Sequence, residues 1–159
     1  MEHPPIRQRE AALYCSPGMS FDWCAYYRLS EALLQDPEAL LTGADQEAVY
    51  RAAISRVYYA VFKVAYNRFI NSGWSEPKHE VHRWVVDRLK SYNDRSASRQ
   101  KIEDFRRAGE DLDRLRLYRR SADYDNDFQA GNKPQDPSRI AQIALKTAKR
   151  TLELITKHP

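Results

Sequence analysis

The chain has 159 residues and carries 26 Lys and Arg against 22 Asp and Glu, so its formal net charge is +4 and its length is that of one domain. Hydrophobic residues make up 42% of it, with 3 Trp, 10 Tyr and 5 Phe, which is enough to bury a core and excludes a disordered chain. Two cysteines and five glycines exclude a disulfide framework, a zinc ribbon and glycine-rich nucleotide-binding loops. We expect Cys15 and Cys24 to be reduced.

The N-terminal segment 1–19 is predicted to be an extension that precedes a single domain over residues 20–157. Pro4 and Pro5 stand there between charged residues, and the segment lacks the apolar core of a signal peptide. No apolar run in the chain reaches the length of a membrane span. We therefore expect a cytoplasmic protein that does not enter a membrane.

Apolar residues recur at spacings of three and four, and helix-breaking residues are far apart, so the pattern predicts an all-α fold. Five helices are predicted, at about 21–35, 46–71, 78–90, 99–124 and 137–157. Ser20 and Asp45 are the expected caps of the first two, and Pro77 falls in the first turn of the third. The sequence indicates an antiparallel bundle of four to five helices.

The second predicted helix is apolar around most of its girth. One stripe consists of Tyr50, Ala53, Ile54, Val57, Tyr58, Val61, Val64 and Ala65. A flanking aromatic stripe contains Tyr59, Phe62, Tyr66 and Phe69, which leaves a narrow polar strip of Arg56, Lys63 and Asn67. Such a helix lies either at the centre of a bundle or in a subunit interface, and the pattern alone allows both.

Charge is distributed unevenly along the chain. Residues 21–48 hold one Arg against six carboxylates, whereas residues 95–120 hold nine cations against five carboxylates. Residues from 138 onward add five cations and only Glu153. The two C-terminal helices can therefore present a basic surface to phosphates, or their charges can pair along a solvated helix face.

One arginine interrupts the apolar series of the fourth predicted helix. The inward positions are Phe105, Ala108, Leu112, Leu115, Arg119 and Ala122. A desolvated guanidinium costs several kcal/mol unless an anion meets it. Arg119 is therefore expected to pair with Asp123 one turn on, to extend to the surface, or to bind a phosphate.

Three segments together resemble the HEPN family (higher eukaryotes and prokaryotes nucleotide-binding). They are the run from Tyr50 to Phe62, the Lys78-His79 pair before the third helix, and the run from Arg119 to Asp125. The resemblance covers residues 20–156 and implies a HEPN-like helix bundle that commonly forms a homodimer. In many members it also implies a metal-independent ribonuclease, often a toxin or defence effector paired with a nucleotidyltransferase-like antitoxin.

The chain departs from the family's nuclease motif, which is Arg followed after four to six residues by His. Arg119 matches the arginine, but Tyr124, Asp125 and Asn126 occupy the positions at which the histidine would stand. The chain thus resembles the branch whose helix ends in Arg-x-x-Ala-Asp-Tyr. Cleavage would then need a base from elsewhere, and His79 or His82 are the histidines of the third helix that offer one.

The resemblance assigns candidate residues to two roles. The candidate catalytic residues are Arg119, Asp123 and Tyr124, and the candidate RNA-phosphate ligands are Arg51, Arg116, Arg120, Lys78 and His79. For Arg51 a second interpretation is a hydrogen-bonded seam with the end of the fourth helix. Cys24 is expected to be a small buried apolar residue, and we expect neither a metal nor a cofactor.

Two functional hypotheses follow from these residues. The first is a HEPN-like protein that binds or acts on RNA in a stress, toxin–antitoxin or phage-defence setting, with metal-independent endoribonuclease activity as one form of that action. The second is a non-catalytic helical dimer that serves as an interaction module for a partner such as a nucleotidyltransferase. The missing histidine is the feature that separates them.

Overall fold

A computed structural model describes residues 21–37, 46–129, 131 and 133–158 of the chain. The predicted extension 1–19, the two caps Ser20 and Asp45, and Cys15 lie outside these residues. Within them the chain forms five helices and no strand. They are α1 (Cys24–Gln35), α2 (Gln46–Asn71), α3 (Val81–Lys90), α4 (Arg99–Tyr124) and α5 (Pro137–Thr156). The predicted all-helical bundle is confirmed.

Helix α2 lies at the centre of the bundle and packs against α1, α4 and α5, with a smaller contact to α3. Its buried residues are Val49, Ala53, Ile54, Ser55, Val57, Tyr58, Ala60, Val61, Phe62, Ala65 and Phe69. Burial on so many sides removes a large apolar area from water, and each Å² of that area stabilises the fold by about 25 cal/mol. The central position inside one chain, which was one of the two interpretations of its pattern, is confirmed.

The polar caps define where α4 and α5 begin. The Ser98 hydroxyl accepts a hydrogen bond from the Lys101 amide at 3.2 Å, and the Asp136 carboxylate accepts one from the Ser138 amide at 3.0 Å. Pro137 occupies the first turn of α5, where no amide hydrogen is needed. These two helices have the starts that their sequences predict.

Two helices begin later than their sequences predict. Helix α1 starts at Cys24 rather than Phe21, and Asp22 accepts a hydrogen bond from the Cys24 amide at 3.0 Å instead of lying in the first turn. Helix α3 starts at Val81 rather than Lys78, because Glu80 has the left-handed backbone angle φ of 54°. A helix cannot continue through a residue in that conformation.

Glycine at position 109 sets the distance between α4 and α3. A Cβ atom built there would lie 2.7 Å from the Lys90 amide nitrogen and 2.9 Å from the Leu89 Cβ atom. The two helices approach this closely because Gly109 has no side chain. Leu89 is fully buried at this contact.

The core has the composition that the helical periodicity predicts. In α4 the inward residues Phe105, Ala108, Leu112 and Leu115 are all at most 1% exposed. Cys24 is 3% exposed, so it is the small buried apolar residue that we expected. Among the described residues, no helix combines the length and apolar character needed to cross a membrane.

Candidate functional site

Arg119 occupies the inward face of α4, as the sequence predicts, and its side chain is only 15% exposed. Its Nε atom lies 2.7 Å from Asp123 Oδ2, so the expected ion pair forms. The same Nε atom is buried and has no hydrogen-bond partner, because the contact lacks the angle of a hydrogen bond. Asp123 thus matches the charge of Arg119 without satisfying this donor.

Two tyrosine hydroxyls complete the surroundings of the guanidinium. Arg119 Nη2 donates to the Tyr59 hydroxyl at 2.7 Å and to the Tyr124 hydroxyl at 3.2 Å. The guanidinium carbon also lies 5.2 Å from the ring centroids of both tyrosines and 5.9 Å from that of Tyr58. We call Arg119, Asp123, Tyr58, Tyr59 and Tyr124 the Arg119 cage.

The cage keeps Arg119 charged. Burial by itself would lower the pKa of Arg119, but Tyr59, Asp123 and Tyr124 outweigh that effect and raise the pKa above its usual value. Tyr124 is the exposed wall of the cage, since it is 70% exposed and is the last residue of α4. Arg119 therefore keeps its positive charge, with Asp123 as its counter-ion, beneath an exposed phenol.

A histidine from α3 reaches this cage through Tyr58. The Tyr58 hydroxyl lies 2.6 Å from His82 Nδ1, and the imidazole stacks on Phe62 with 4.2 Å between ring centroids. Burial raises the pKa of the Tyr58 hydroxyl, although the nearby Arg119 charge opposes this. Burial, together with Arg119, Arg116 and Lys63, lowers the pKa of His82. The geometry therefore joins a neutral imidazole to a protonated phenol.

The contact with Tyr58 engages one of the two nitrogens of His82. Tyr58 is fully buried, and its hydroxyl has no other hydrogen-bond partner among the described residues. The hydroxyl hydrogen is satisfied in the tautomer of His82 that carries its own hydrogen on Nε2, because Nδ1 is then an acceptor. In the other tautomer Nδ1 donates to the hydroxyl, and in both the 2.6 Å contact occupies Nδ1.

The other candidate histidine is not part of the cage. His79 and Lys78 are exposed and precede α3. His79 lines a shallow, open groove on the outer side of α3, together with Trp84 and Arg88. Of the two histidines that the sequence offered, the fold therefore brings His82 to the Arg119 cage.

Arg51 forms the seam with the end of α4 that was one of its two interpretations. It donates to the carbonyl oxygens of Asp125 at 2.7 Å and Ser121 at 3.2 Å, and it also pairs with Glu47. Carbonyl groups at a helix C-terminus have no partner in the helix itself, so the guanidinium satisfies them. The contact of Arg51 with phosphate stays a prediction. The backbone carbonyls would compete with a phosphate for the same guanidinium donors.

The remaining basic candidates lie on the solvent side of α4. Arg116 pairs with Asp113 at 3.2 Å, and its side chain is 28% exposed. Arg120 is exposed. Both are within one turn of Arg119, so they add positive potential near the cage without taking part in it.

Tyr59 is the cage residue that the sequence reasoning missed as a site residue. It lies 60 positions from Arg119 in the chain, and its place in an aromatic stripe was its only signal. The described residues contain no group of three or more His, Cys, Asp and Glu that could hold a metal ion. The groups that the site does bring together are a guanidinium, a carboxylate and three phenols.

A family model described as the HEPN domain matches residues 31–158. The chain belongs to the HEPN family. The match spans α2 to α5 and the C-terminal end of α1, so it contains the whole Arg119 cage. Neither the curated proteins nor the solved structures gave a significant match. In this HEPN domain Arg119, the residue that the sequence analysis compared with the arginine of the nuclease motif, is surrounded by tyrosines and a carboxylate.

Proposed function

We propose that this HEPN protein binds RNA and that the Arg119 cage receives a backbone phosphate. The observation that carries the proposal is the buried Arg119 Nε atom, which has a carboxylate beside it but no hydrogen-bond partner. A phosphate oxygen can accept a charge-assisted hydrogen bond that the Asp123 carboxylate does not accept in this geometry. A buried donor without a hydrogen bond is unfavourable, and a bound phosphate oxygen would supply the missing acceptor.

The way into the cage is past Tyr124. Arg119 Nη2 donates to the hydroxyls of Tyr124 and Tyr59, and the bond to Tyr124 is the longer one, at 3.2 Å against 2.7 Å. Because Tyr124 is largely exposed and ends α4, its side chain can rotate away without disturbing the core. Arg116 and Arg120 then lie beside the entering phosphate, and Lys78 and His79 belong to the same proposed set of ligands.

The geometry favours binding over cleavage. A metal-independent ribonuclease needs a group that removes the proton of the 2′-hydroxyl. The Nδ1 atom of His82 is already engaged with the Tyr58 hydroxyl at 2.6 Å. Asp123 is held beside Arg119. Catalysis with Arg119, Asp123 and Tyr124 is the weaker form of the proposal.

The setting that we propose is a stress, toxin–antitoxin or phage-defence system, in which the domain acts as a homodimer. The pairing of Arg119 with Asp123 also supports the second hypothesis, because an arginine already matched by a carboxylate needs no RNA. In that case the domain is an interaction module for a partner such as a nucleotidyltransferase-like antitoxin. The two hypotheses differ in whether RNA binding depends on Arg119.

The test is RNA binding by matched variants. Labelled tRNA and total RNA are incubated with wild type, Arg119→Gln and the double variant Arg119→Gln/Asp123→Asn, with chelator present and no added metal. The double variant keeps the local charge balanced, so it separates loss of a ligand from loss of the fold. The exposed Arg99→Gln, at the other end of α4, is the charge control.

The proposal expects both cage variants to lose RNA affinity at unchanged helical content by circular dichroism, while Arg99→Gln resembles wild type. Equal affinity of wild type and the double variant would overturn it and favour the interaction module. Cleavage of RNA by wild type and not by Arg119→Gln would show that the site is catalytic as well.

A further inference from the structure

A second set of side chains extends away from the Arg119 cage along α1 and α2. It consists of Trp23, Tyr26, Arg56, Tyr59, Lys63 and Tyr66, and we call it the aromatic–cation strip. Arg56, Tyr59, Lys63 and Tyr66 follow one another at helical spacing on one side of α2. All six side chains are half-buried, so each also faces solvent.

Cations and rings alternate along the strip. The Arg56 guanidinium carbon lies 5.2 Å from the Tyr26 ring centroid and 6.0 Å from that of Tyr59. The Lys63 ammonium nitrogen lies 5.1 Å from the Trp23 ring and 4.9 Å from the Tyr66 ring. Because Tyr59 also accepts the hydrogen bond from Arg119, the strip and the Arg119 cage share a residue and form one surface.

The two cations of the strip have no anionic partner in the described part of the chain. Neither Arg56 nor Lys63 has a carboxylate within ion-pair distance there, and both are held only over aromatic rings. Some other arginines of the bundle do have such a partner, as Arg28 has in Asp22 and Arg99 in Glu103. The strip therefore carries positive charge that this surface leaves uncompensated.

We propose that the aromatic–cation strip binds the bases and phosphates of single-stranded RNA that continues from the Arg119 cage. The proposal rests on the proposed RNA-binding function. Proteins that bind single strands combine cations along the backbone with aromatic rings on which bases stack, and the strip has both groups in alternation. Arg56 and Lys63 are seven residues apart, about 10 Å along α2, which leaves room for bases between the phosphates that they contact.

The charge of the strip argues against a second copy of the chain as its occupant. A two-fold interface built on the strip would bring two copies of the same patch together, with two cations from each subunit. Like charges at an interface are repulsive when no carboxylate intervenes. A polyanion with flat apolar bases complements this surface better than an identical surface does.

The experiment measures affinity for a labelled 12-nucleotide oligouridylate and oligoadenylate, and for a 12-base-pair RNA duplex, over a range of salt concentrations. The variant Arg56→Gln/Lys63→Gln removes the cations, and Trp23→Leu removes a ring. The matched charge control is Arg99→Gln/Arg107→Gln, which removes two exposed cations from the first half of α4, at least 12 residues from Arg119. Circular dichroism checks the helical content of each variant.

If the strip binds bases, wild type is expected to have a higher affinity for the single strands than for the duplex. Loss of both cations is expected to lower single-strand affinity about tenfold or more and to reduce the slope of log K against log salt by about 1.4, since each phosphate contact contributes about 0.7. Trp23→Leu is expected to lower affinity and leave the slope unchanged, because stacking involves no counterion release. The control pair is expected to change affinity less than threefold.

The possible failures are distinguishable. If wild type binds RNA and Arg119→Gln does not, while the strip variants bind within twofold of wild type, the strip is not the path of the strand and the proposed function stands. Equal affinity for duplex and single strand would overturn the stacking role. No RNA binding by wild type would overturn both proposals. If the strip variants change only the sedimentation coefficient, the occupant is a second copy of the chain.

Discussion

Tyr58 and His82 are joined by a 2.6 Å hydrogen bond between the phenol and Nδ1, although they lie 24 positions apart on different helices. The bond places the imidazole of α3 beside the Arg119 cage and occupies its Nδ1 atom. His82 therefore enters the surroundings of Arg119 through Tyr58.

The neutral state of His82 makes stability depend on pH. The pKa of His82 is lowered by burial and by nearby cations, so the unfolded chain takes up the proton first as pH falls. Stability is therefore level above about pH 6.5 and declines below it, with a slope of at most about 1.4 kcal/mol per pH unit. Urea unfolding of wild type, His82→Gln and His79→Gln between pH 5 and 8 measures it. The decline of the free energy of unfolding below about pH 6.5 is expected to vanish only in His82→Gln. If it persisted in that variant, His82 would not be its cause.

Asp104 is expected to anchor the C-terminal end of α5. Its carboxylate, 3% exposed, accepts hydrogen bonds from Gln100, Lys157 and His158. Burial disfavours the charged form, but these bonds outweigh it and lower the pKa of Asp104 from 3.8 to about 2. The bonds therefore contribute about 2 kcal/mol above pH 3.8, which is lost as pH falls toward 2. Asp104→Asn should remove this contribution at neutral pH in urea unfolding, while the exposed neighbour Glu103→Gln should change little.

Gly109→Ala is expected to destabilise the protein even though alanine favours helices. The substitution gains up to about 1 kcal/mol of helix propensity in an open helix. Here the new methyl group would lie 2.7 Å from the Lys90 amide nitrogen, so α3 and α4 must separate, at a cost of about 1–3 kcal/mol. Thermal unfolding gives the sign directly. A variant as stable as wild type would mean that the two helices do not pack this closely.

Substitution of Arg51 separates its two interpretations. Its guanidinium donates to four backbone carbonyls at the end of α4. Arg51→Lys keeps the charge but loses the fork of donors, so we expect a loss of about 2 kcal/mol in the free energy of unfolding and little change in RNA affinity. Arg51→Gln also removes the charge. If Arg51→Gln kept its stability and lost RNA affinity, Arg51 would be a phosphate ligand.

The helices could be predicted from the sequence because their signals are local. The bounds of α4 depend on Ser98 and on the apolar spacing from Phe105 to Ala122, and both lie within the helix or next to it. The start of α3 was predicted wrongly because Glu80 adopts a left-handed conformation. Glycine and asparagine are the residues that signal this conformation in a sequence, and neither stands at position 80.

The sequence by itself determined that Arg119 lies on the inward face of α4 and within one turn of Asp123, since both facts follow from helical periodicity. Only the tertiary structure decided what surrounds the guanidinium. Tyr59 and His82 come from α2 and α3, and their distance from Arg119 depends on how three helices pack. Spacing along a chain encodes contacts within one helix, whereas contacts between helices depend on packing that no short stretch of sequence contains.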